Sequence, residues 1–137
     1  MAGADADQPP DVSQAARYME VEERYWYCKP GQYVPDPQEL VDLVDENTVL
    51  VCAILGTTYT GEYEDVETIN DLLEKKNKEK NLNVHIHVDA ASGGFVAPFV
   101  VPDLKWDFRN SLVCSINTSG EWPALPKSFP VVRRGRC

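Results

Sequence analysis

Residues 84–89 alternate β-branched and polar side chains (Val-His-Ile-His-Val-Asp), and they constrain the fold more than any other segment. Successive side chains of a strand point to opposite faces of a sheet, so the alternation predicts a strand with His85, His87 and Asp89 on one face. The small residues of 90–94 follow at once, and we expect them to leave space beside the carboxylate for a flat, bulky group. Ligands of α/β sheets bind at the carboxyl ends of the strands, where an aspartate suits a cationic ring nitrogen.

The rest of the chain alternates helical and strand-like patterns. Asp36, followed by Pro-Gln-Glu, is typical of the N-cap of a helix. The continuous apolar run of 48–55 predicts a strand that is buried on both faces. The predicted elements are helices over 37–45 and 65–80 and strands over 48–55, 84–89 and 112–117. This order predicts an α/β fold with a mostly parallel sheet.

Composition divides the chain into three parts. Residues 1–14 are rich in Ala, Asp, Gln and Pro, which predicts disorder. Residues 15–120 carry the helix and strand patterns of a single partial domain. Residues 121–137 are rich in proline and hold four basic residues and one acidic residue, so the net charge of −9 divides into +3 there and −12 in the first 120 residues.

Charge and hydropathy narrow the partners that we expect. A net charge of −9 argues against binding nucleic acid or an anionic membrane surface. No apolar run approaches the length of a membrane span, and the acidic start lacks the features of a signal peptide. The four cysteines form no Cys-x-x-Cys pair. We therefore expect a cytoplasmic, reduced protein.

Three other groups of residues suggest binding sites. His85, His87 and Asp89 have the spacing of a metal-binding strand, but the chain holds only two histidines, and we expect no metal site. Thr57, Thr58 and Thr60 follow a strand and could donate hydroxyls to an anionic ligand, or could simply cap a turn. Ser119 and Gly120 follow the last strand and could contact a phosphate.

Taken together, four stretches closely resemble glutamate decarboxylases, which are pyridoxal-phosphate enzymes of the group II decarboxylase family, and residues 44–48 and 70–73 look most like the plant branch. The stretches are residues 55–65, 85–99, 106–109 and 115–120. The resemblance implies that 15–120 is part of the large domain of an aspartate-aminotransferase-type fold, with both flanks of that domain missing. It also implies that Asp89 holds the pyridine nitrogen and that Ala91 lies against the ring. Thr58 would form a hydrogen bond with the cofactor or its substrate adduct, and Ser119 would help to hold the phosphate. The residues themselves leave His87 open: it is a satisfied histidine of the core, or it faces a ligand beside Asp89.

The match to the family breaks after Gly120. In the family, Ser-Gly is followed by His-Lys, and that lysine forms the Schiff base with pyridoxal phosphate; here Glu121 and Trp122 follow instead. We also expect no calmodulin-binding tail of the kind that is typical of plant relatives. The resemblance implies conversion of L-glutamate to 4-aminobutanoate and CO₂, but we predict that this chain alone is inactive. The alternative is a non-catalytic fragment that is unstable or binds full-length subunits. For partners, we expect a homo-oligomer or association with full-length subunits.

Overall fold

The computed structural model describes residues 16–119 and the backbone of 133–134. Its centre is a sheet with the spatial order β1-β2-β3-β4. The strands are β1 (Leu50–Ile54), β2 (His85–Asp89), β3 (Val113–Asn117) and β4 (Arg133–Arg134). The first three run parallel and β4 pairs antiparallel with β3. The predicted parallel arrangement of three strands is confirmed, whereas β4 lies in the stretch predicted to be an unrelated tail.

Three helices accompany the sheet: α1 (Pro37–Asp42), α2 (Val66–Lys80) and α3 (Ala97–Val100). Asp36 caps α1 as predicted, because its Oδ1 accepts from the Gln38 N–H at 2.9 Å. Helix α2 begins after Asp65, whose carboxylate accepts from the Thr68 N–H, and ends at Asn81 in the left-handed conformation. The short helix α3 lies in a segment that the sequence patterns left as loop.

Helix α1 ends three residues before the predicted boundary at residue 45. Asp45 and Thr48 form a closed turn there, since the Asp45 N–H donates to Thr48 Oγ1 at 2.9 Å and the Thr48 hydroxyl donates back to Asp45 Oδ1 at 3.0 Å. Side chains of this kind offer the backbone an alternative to helix hydrogen bonds. The turn therefore stops α1 and leads the chain into β1.

The core lies on one face of the sheet, between the strands and helices α1 and α2. It includes apolar side chains from all of these elements and from the residues beside them: Val41, Val44, Val51, Ala53, Leu55, Val66, Ile69, Leu73, Val84, Ile86, Val88, Val113 and Ile116. In β1 the burial alternates, and Leu50 on the other face is 40% exposed. The prediction that this run is buried on both faces is wrong for the described residues, because β1 is an edge strand and both helices pack on the same face.

Two asparagines of α2 fix the helix to the strands. The Asn70 side-chain oxygen accepts from the Leu112 N–H at 2.9 Å, just before β3. Asn77 makes two bonds with the backbone of Val84, just before β2. Buried polar side chains are stable when they are paired in this way. The bonds set where β2 and β3 begin, and hence where their carboxyl ends lie.

Two predictions fall on residues outside the described part of the chain. These are the disorder of residues 1–14 and the nature of the stretch that follows Ser119 up to β4. Within the described residues, no helix combines the length and the apolar character that crossing a bilayer requires.

Candidate functional site

The carboxyl ends of β1, β2 and β3 meet at one edge of the sheet, and backbone hydrogen bonds join the loops that follow them. The Leu55 N–H donates to the Asp89 carbonyl at 2.8 Å, and the Ala90 N–H donates to the Asn117 carbonyl at 3.0 Å. The Gly93 N–H donates to the Leu55 carbonyl at 2.9 Å. The three loops are thus held together at the edge where α/β proteins bind ligands.

Asp89 is the last residue of β2 and is 8% exposed. Its Oδ1 accepts two hydrogen bonds, one from the Ala91 N–H at 3.0 Å and one from Asn117 Nδ2 at 2.9 Å. Within residues 16–119, no group donates a hydrogen bond to the second oxygen, Oδ2. The carboxylate is therefore oriented by one oxygen and keeps acceptor capacity on the other.

His87 lies on the same face of the sheet as Asp89, as the alternation predicted. The register places it opposite Cys52 of β1 and Ser115 of β3. Its Nδ1 lies 2.7 Å from Ser115 Oγ, and its Nε2 lies 3.1 Å from Asn117 Oδ1. A continuous set of hydrogen bonds therefore runs from Ser115 through His87 and Asn117 to Asp89.

The glycines after Asp89 do not leave the open space that the sequence suggested. A Cβ atom on Gly93 would lie 2.4 Å from the Leu55 carbonyl oxygen, and one on Gly94 would lie 2.6 Å from Thr118 Cγ2. The expectation of a vacant shelf along 90–94 is therefore wrong for both glycines. They are small because the loops after the three strands pack on one another at the sheet edge.

The threonine loop after β1 is a closed turn. Thr57 and Thr60 share a hydrogen bond between their hydroxyls at 2.6 Å, and the Gly61 N–H donates to the Thr57 carbonyl at 2.9 Å. The side chain of Thr58 is exposed at the same edge of the sheet as Asp89. Two of the three hydroxyls thus stabilise the turn, and the role of Thr58 toward a ligand stays a prediction.

The loop after β3 reaches the loop after β2. The Ser119 N–H donates to the Ala91 carbonyl at 3.4 Å, and both residues are half-buried. The structure thus links four of the five predicted site residues, Asp89, His87, Ala91 and Ser119, through hydrogen bonds. Thr58 is brought to the same edge without a bond to them.

A buried carboxyl group, that of Glu64, and a half-buried thiol, that of Cys52, lie near the site. Burial raises the pKa of Glu64 to about 7, although a backbone hydrogen bond with Ile54 opposes the rise in part. Its Oε2 is buried and has no hydrogen-bond partner among the residues that the structure describes. Burial likewise raises the pKa of the Cys52 thiol to about 11, and the charge of Asp89 adds to that rise. The neutral forms of both groups are favoured in this part of the protein.

The geometry does not support a metal site formed by His85, His87 and Asp89. Across the described residues, no group of three or more His, Cys, Asp or Glu side chains could hold a metal ion. Both ring nitrogens of His87 are already engaged with Ser115 and Asn117. These contacts assign His87 to the hydrogen-bonded network around Asp89.

Sequence reasoning missed Ser115 and Asn117 as site residues. They stand two apart in the apolar strand β3, and the register places them directly opposite His87 and Asp89. Two polar side chains at i and i+2 of a buried strand were the available signal, because such residues share one face. Glu64 was missed as well, and its burial follows from tertiary packing that no local pattern encodes.

Comparison with known proteins identifies the family. Residues 4–124 match the pyridoxal-dependent decarboxylase conserved domain. Over 105 residues, the chain is 62% identical to the glutamate decarboxylase of Solanum lycopersicum and 61% identical to glutamate decarboxylase 1 of Arabidopsis thaliana. Each match covers 77% of this chain and 21% of the relative, so the chain spans about a fifth of the length of these curated relatives.

Solved structures agree with the sequence matches. The chain superposes on a Lactobacillus brevis glutamate decarboxylase with a TM-score of 0.76 and 35% identity, covering 88% of this chain and 27% of that one. A Burkholderia pseudomallei sphingosine-1-phosphate lyase matches with a TM-score of 0.75 at 24% identity, which shows the fold; that match covers 93% of this chain and 29% of the lyase. The predicted aspartate-aminotransferase-type fold and the resemblance to plant glutamate decarboxylases are both confirmed. The chain belongs to the pyridoxal-dependent decarboxylase family.

Proposed function

We propose that this chain forms the ring-nitrogen side of a pyridoxal-phosphate site of the glutamate decarboxylase type and does not complete decarboxylation by itself. One observation carries the proposal. Asp89 ends β2 with Oδ1 held by two donors, while Oδ2 accepts nothing from the described residues. A carboxylate in this state can accept a hydrogen bond from a protonated pyridine nitrogen.

The residues of the site fit the cofactor of the family. The acceptor is an acid at the carboxyl end of a parallel strand, and the next half-buried side chain, Ala91, is only a methyl group. The Asp89 carboxylate is oriented before any ligand arrives, which lowers the entropic cost of binding. The donors and acceptors of the site are therefore those that a cationic aromatic ring requires.

Each predicted residue has a separate task in this proposal. Asp89 keeps the ring nitrogen protonated, Ala91 contacts the ring face, and His87 supports Asp89 from the side. Thr58 contacts the cofactor or the bound substrate, and Ser119 contributes to phosphate binding. When bound, pyridoxal phosphate supplies an electron-accepting ring that stabilises the carbanion formed as CO₂ leaves. The substrate would be L-glutamate, the substrate class of the relatives' named activity.

The proposed lack of activity rests on the residues that follow Gly120. Glu121 and Trp122 occupy the positions where the family resemblance calls for histidine and the cofactor-binding lysine. By the resemblance, a carboxylate in place of that histidine would put negative charge near the phosphate of the cofactor, which is unfavourable. Without an amine at this position, the chain lacks the nucleophile that anchors the cofactor and releases the product.

Cofactor binding and turnover test the two halves of the proposal separately. Pyridoxal phosphate titrated into the 137-residue chain, followed by difference absorbance, should show saturable binding. Loss of one charge-assisted hydrogen bond weakens binding about 10- to 100-fold, and Asp89→Ala should weaken the binding of pyridoxal phosphate by this factor. The exposed Asp71→Ala on α2 is the matched control and should bind as the unmodified chain does. Equal binding by Asp89→Ala would refute the cofactor assignment, and glutamate-dependent release of CO₂ would refute the lack of turnover.

A second candidate function is association with other subunits of the family. The outer edge of β1 favours it, because β1 pairs with only one strand among those described and its neighbour Val49 is 65% exposed. Open strand edges with apolar flanks are prone to strand addition. Light scattering after mixing the chain with the tomato enzyme tests this candidate. A stable complex that Val49→Lys abolishes would support it, and separate elution of the two proteins would refute it.

A further inference from the structure

The hydrogen bonds around His87 have a single direction that can be worked out from the chemistry of their partners. An aspartate carboxylate only accepts, so the group of Asn117 that contacts Asp89 at 2.9 Å is its NH₂. The side-chain oxygen of Asn117 must then point toward His87 Nε2, 3.1 Å away. An amide oxygen also only accepts, and His87 Nε2 must therefore carry a hydrogen.

The other ring nitrogen completes the sequence of bonds. His87 Nδ1 lies 2.7 Å from Ser115 Oγ, and a neutral ring with its hydrogen on Nε2 accepts there from the serine hydroxyl. Each group then donates to the next, from Ser115 to His87, from His87 to Asn117, and from Asn117 to Asp89. Hydrogen bonds aligned in this way polarise one another and strengthen the last bond, which here ends on the carboxylate.

The backbone holds the four side chains in this order. Ser115 is paired with His87, and Asn117 with Asp89, in the register of two adjacent parallel strands. A register irregularity between Ile86 and His87 brings Ser115, rather than Cys114, opposite the imidazole. The arrangement therefore depends on the strands themselves and not on a mobile loop.

We propose that His87 and Asn117 are positioning residues that fix the rotamer of Asp89 through this directed network and leave Oδ2 aimed at a ligand. Neither residue needs to contact the ligand for this role. The inference deepens the proposed function and rests on it for the identity of the ligand, a protonated pyridine ring. The state of the network is a property of the chain without ligand and can be measured independently.

The tautomer of His87 is the first test. Long-range ¹H–¹⁵N correlation spectra of the ¹⁵N-histidine-labelled chain contain only two imidazoles, and His85→Gln identifies the signals of His87. We expect neutral His87 to carry its hydrogen on Nε2, and Asn117→Ala to abolish that preference while the signals of His85 stay unchanged. A hydrogen on Nδ1, or an unchanged tautomer in Asn117→Ala, would overturn the proposal whether or not the chain binds pyridoxal phosphate.

Binding of a matched pair of ligands is the second test. Asn117→Ala should weaken the binding of pyridoxal phosphate about tenfold, as expected for loss of one supporting hydrogen bond. It should leave unchanged the binding of the analogue in which carbon replaces the ring nitrogen. His87→Gln, which can still donate to Asn117, should bind better than His87→Leu. If Asn117→Ala weakens the binding of both ligands equally, Asn117 acts only on the general structure of the loop. That result would refute the positioning role.

If neither ligand binds the unmodified chain, the proposed function fails. The tautomer experiment then tests the hydrogen-bonded network by itself. A failure of the proposed function can thus be distinguished from a failure of the positioning role.

Discussion

The buried carboxyl of Glu64 should make the stability of this chain fall as the pH rises. Glu64 is 7% exposed, its Oε2 has no hydrogen-bond partner within the described part of the chain, and burial raises its pKa from 4.5 to about 7. As the pH rises, the unfolded chain therefore loses the proton of Glu64 at a lower pH than the native state does. The stabilisation is present in full below about pH 4.5 and is lost as the pH rises through about 7.

The magnitude follows from the shift. One pKa unit corresponds to about 1.4 kcal/mol, so the shift of Glu64 corresponds to about 3 kcal/mol of unfolding free energy. Since the chain has a pI of about 4.6, pH 5.5 is a practical lower limit for the experiment. About 2 kcal/mol of the effect should fall between pH 5.5 and pH 8, because the unfolded glutamate has lost most of its proton by the lower limit.

Glu64→Gln removes the titrating group and keeps the shape of the side chain. Urea unfolding of both proteins at pH 5.5 and pH 8 should show that the variant gains about 2 kcal/mol relative to the unmodified chain at the higher pH. The exposed Glu62→Gln, in the same loop, is the matched control and should not alter the pH dependence. If the difference between Glu64→Gln and the unmodified chain is the same at both pH values, the burial argument is refuted.

Three further experiments, two with substitutions and one with alkylation of the unmodified chain, test a helix cap, the packing of the loops and the reactivity of a thiol. Asp65→Ala removes the N-cap of α2 and should lower the unfolding free energy by about 1 kcal/mol in urea titrations, whereas the exposed Asp71→Ala should not. Gly93→Ala would place a Cβ 2.4 Å from the Leu55 carbonyl and should cost about 3 kcal/mol in the same assay; the exposed Ser92→Ala is its control, and equal stability of the two variants would contradict the packing argument. Because the pKa of the half-buried Cys52 thiol is raised to about 11, iodoacetamide at pH 8 should alkylate exposed Cys28 many times faster than Cys52. Peptide mass spectrometry measures both rates, and equal rates would contradict the raised pKa of Cys52.

The sequence predicted the elements that have strong local signals. The alternation of 84–89 and the cap at Asp36 are local properties of the chain, and β2 and the start of α1 lie where these signals predicted them. Boundaries that depend on side-chain turns were less accurate, as at Asp45 and Thr48, where two hydrogen bonds end α1 early. Composition could not reveal that β1 is an edge strand, because the position of a strand in a sheet depends on its neighbours.

The candidate site was predictable in part for the same reason. Asp89 and His87 lie on one strand, so their shared face follows from the period of a strand. Asn117 and Ser115 lie on another strand, and only the register of β2 with β3 brings them to His87 and Asp89. The close packing of Gly93 against Leu55 likewise joins two loops that are distant in sequence. Contacts between segments, which local patterns do not encode, complete the network that orients the carboxylate.

The central claim is that Asp89 holds a protonated pyridine nitrogen at the carboxyl end of β2. The most direct measurement is the ¹⁵N chemical shift of pyridoxal phosphate labelled at the ring nitrogen and bound to the 137-residue chain, compared with its complex with Asp89→Asn. We predict the shift of a pyridinium in the unmodified chain and that of a neutral pyridine in the variant, because the amide cannot stabilise the ring cation as a carboxylate does. A neutral pyridine bound to the unmodified chain, or identical shifts in both proteins, would contradict the claim.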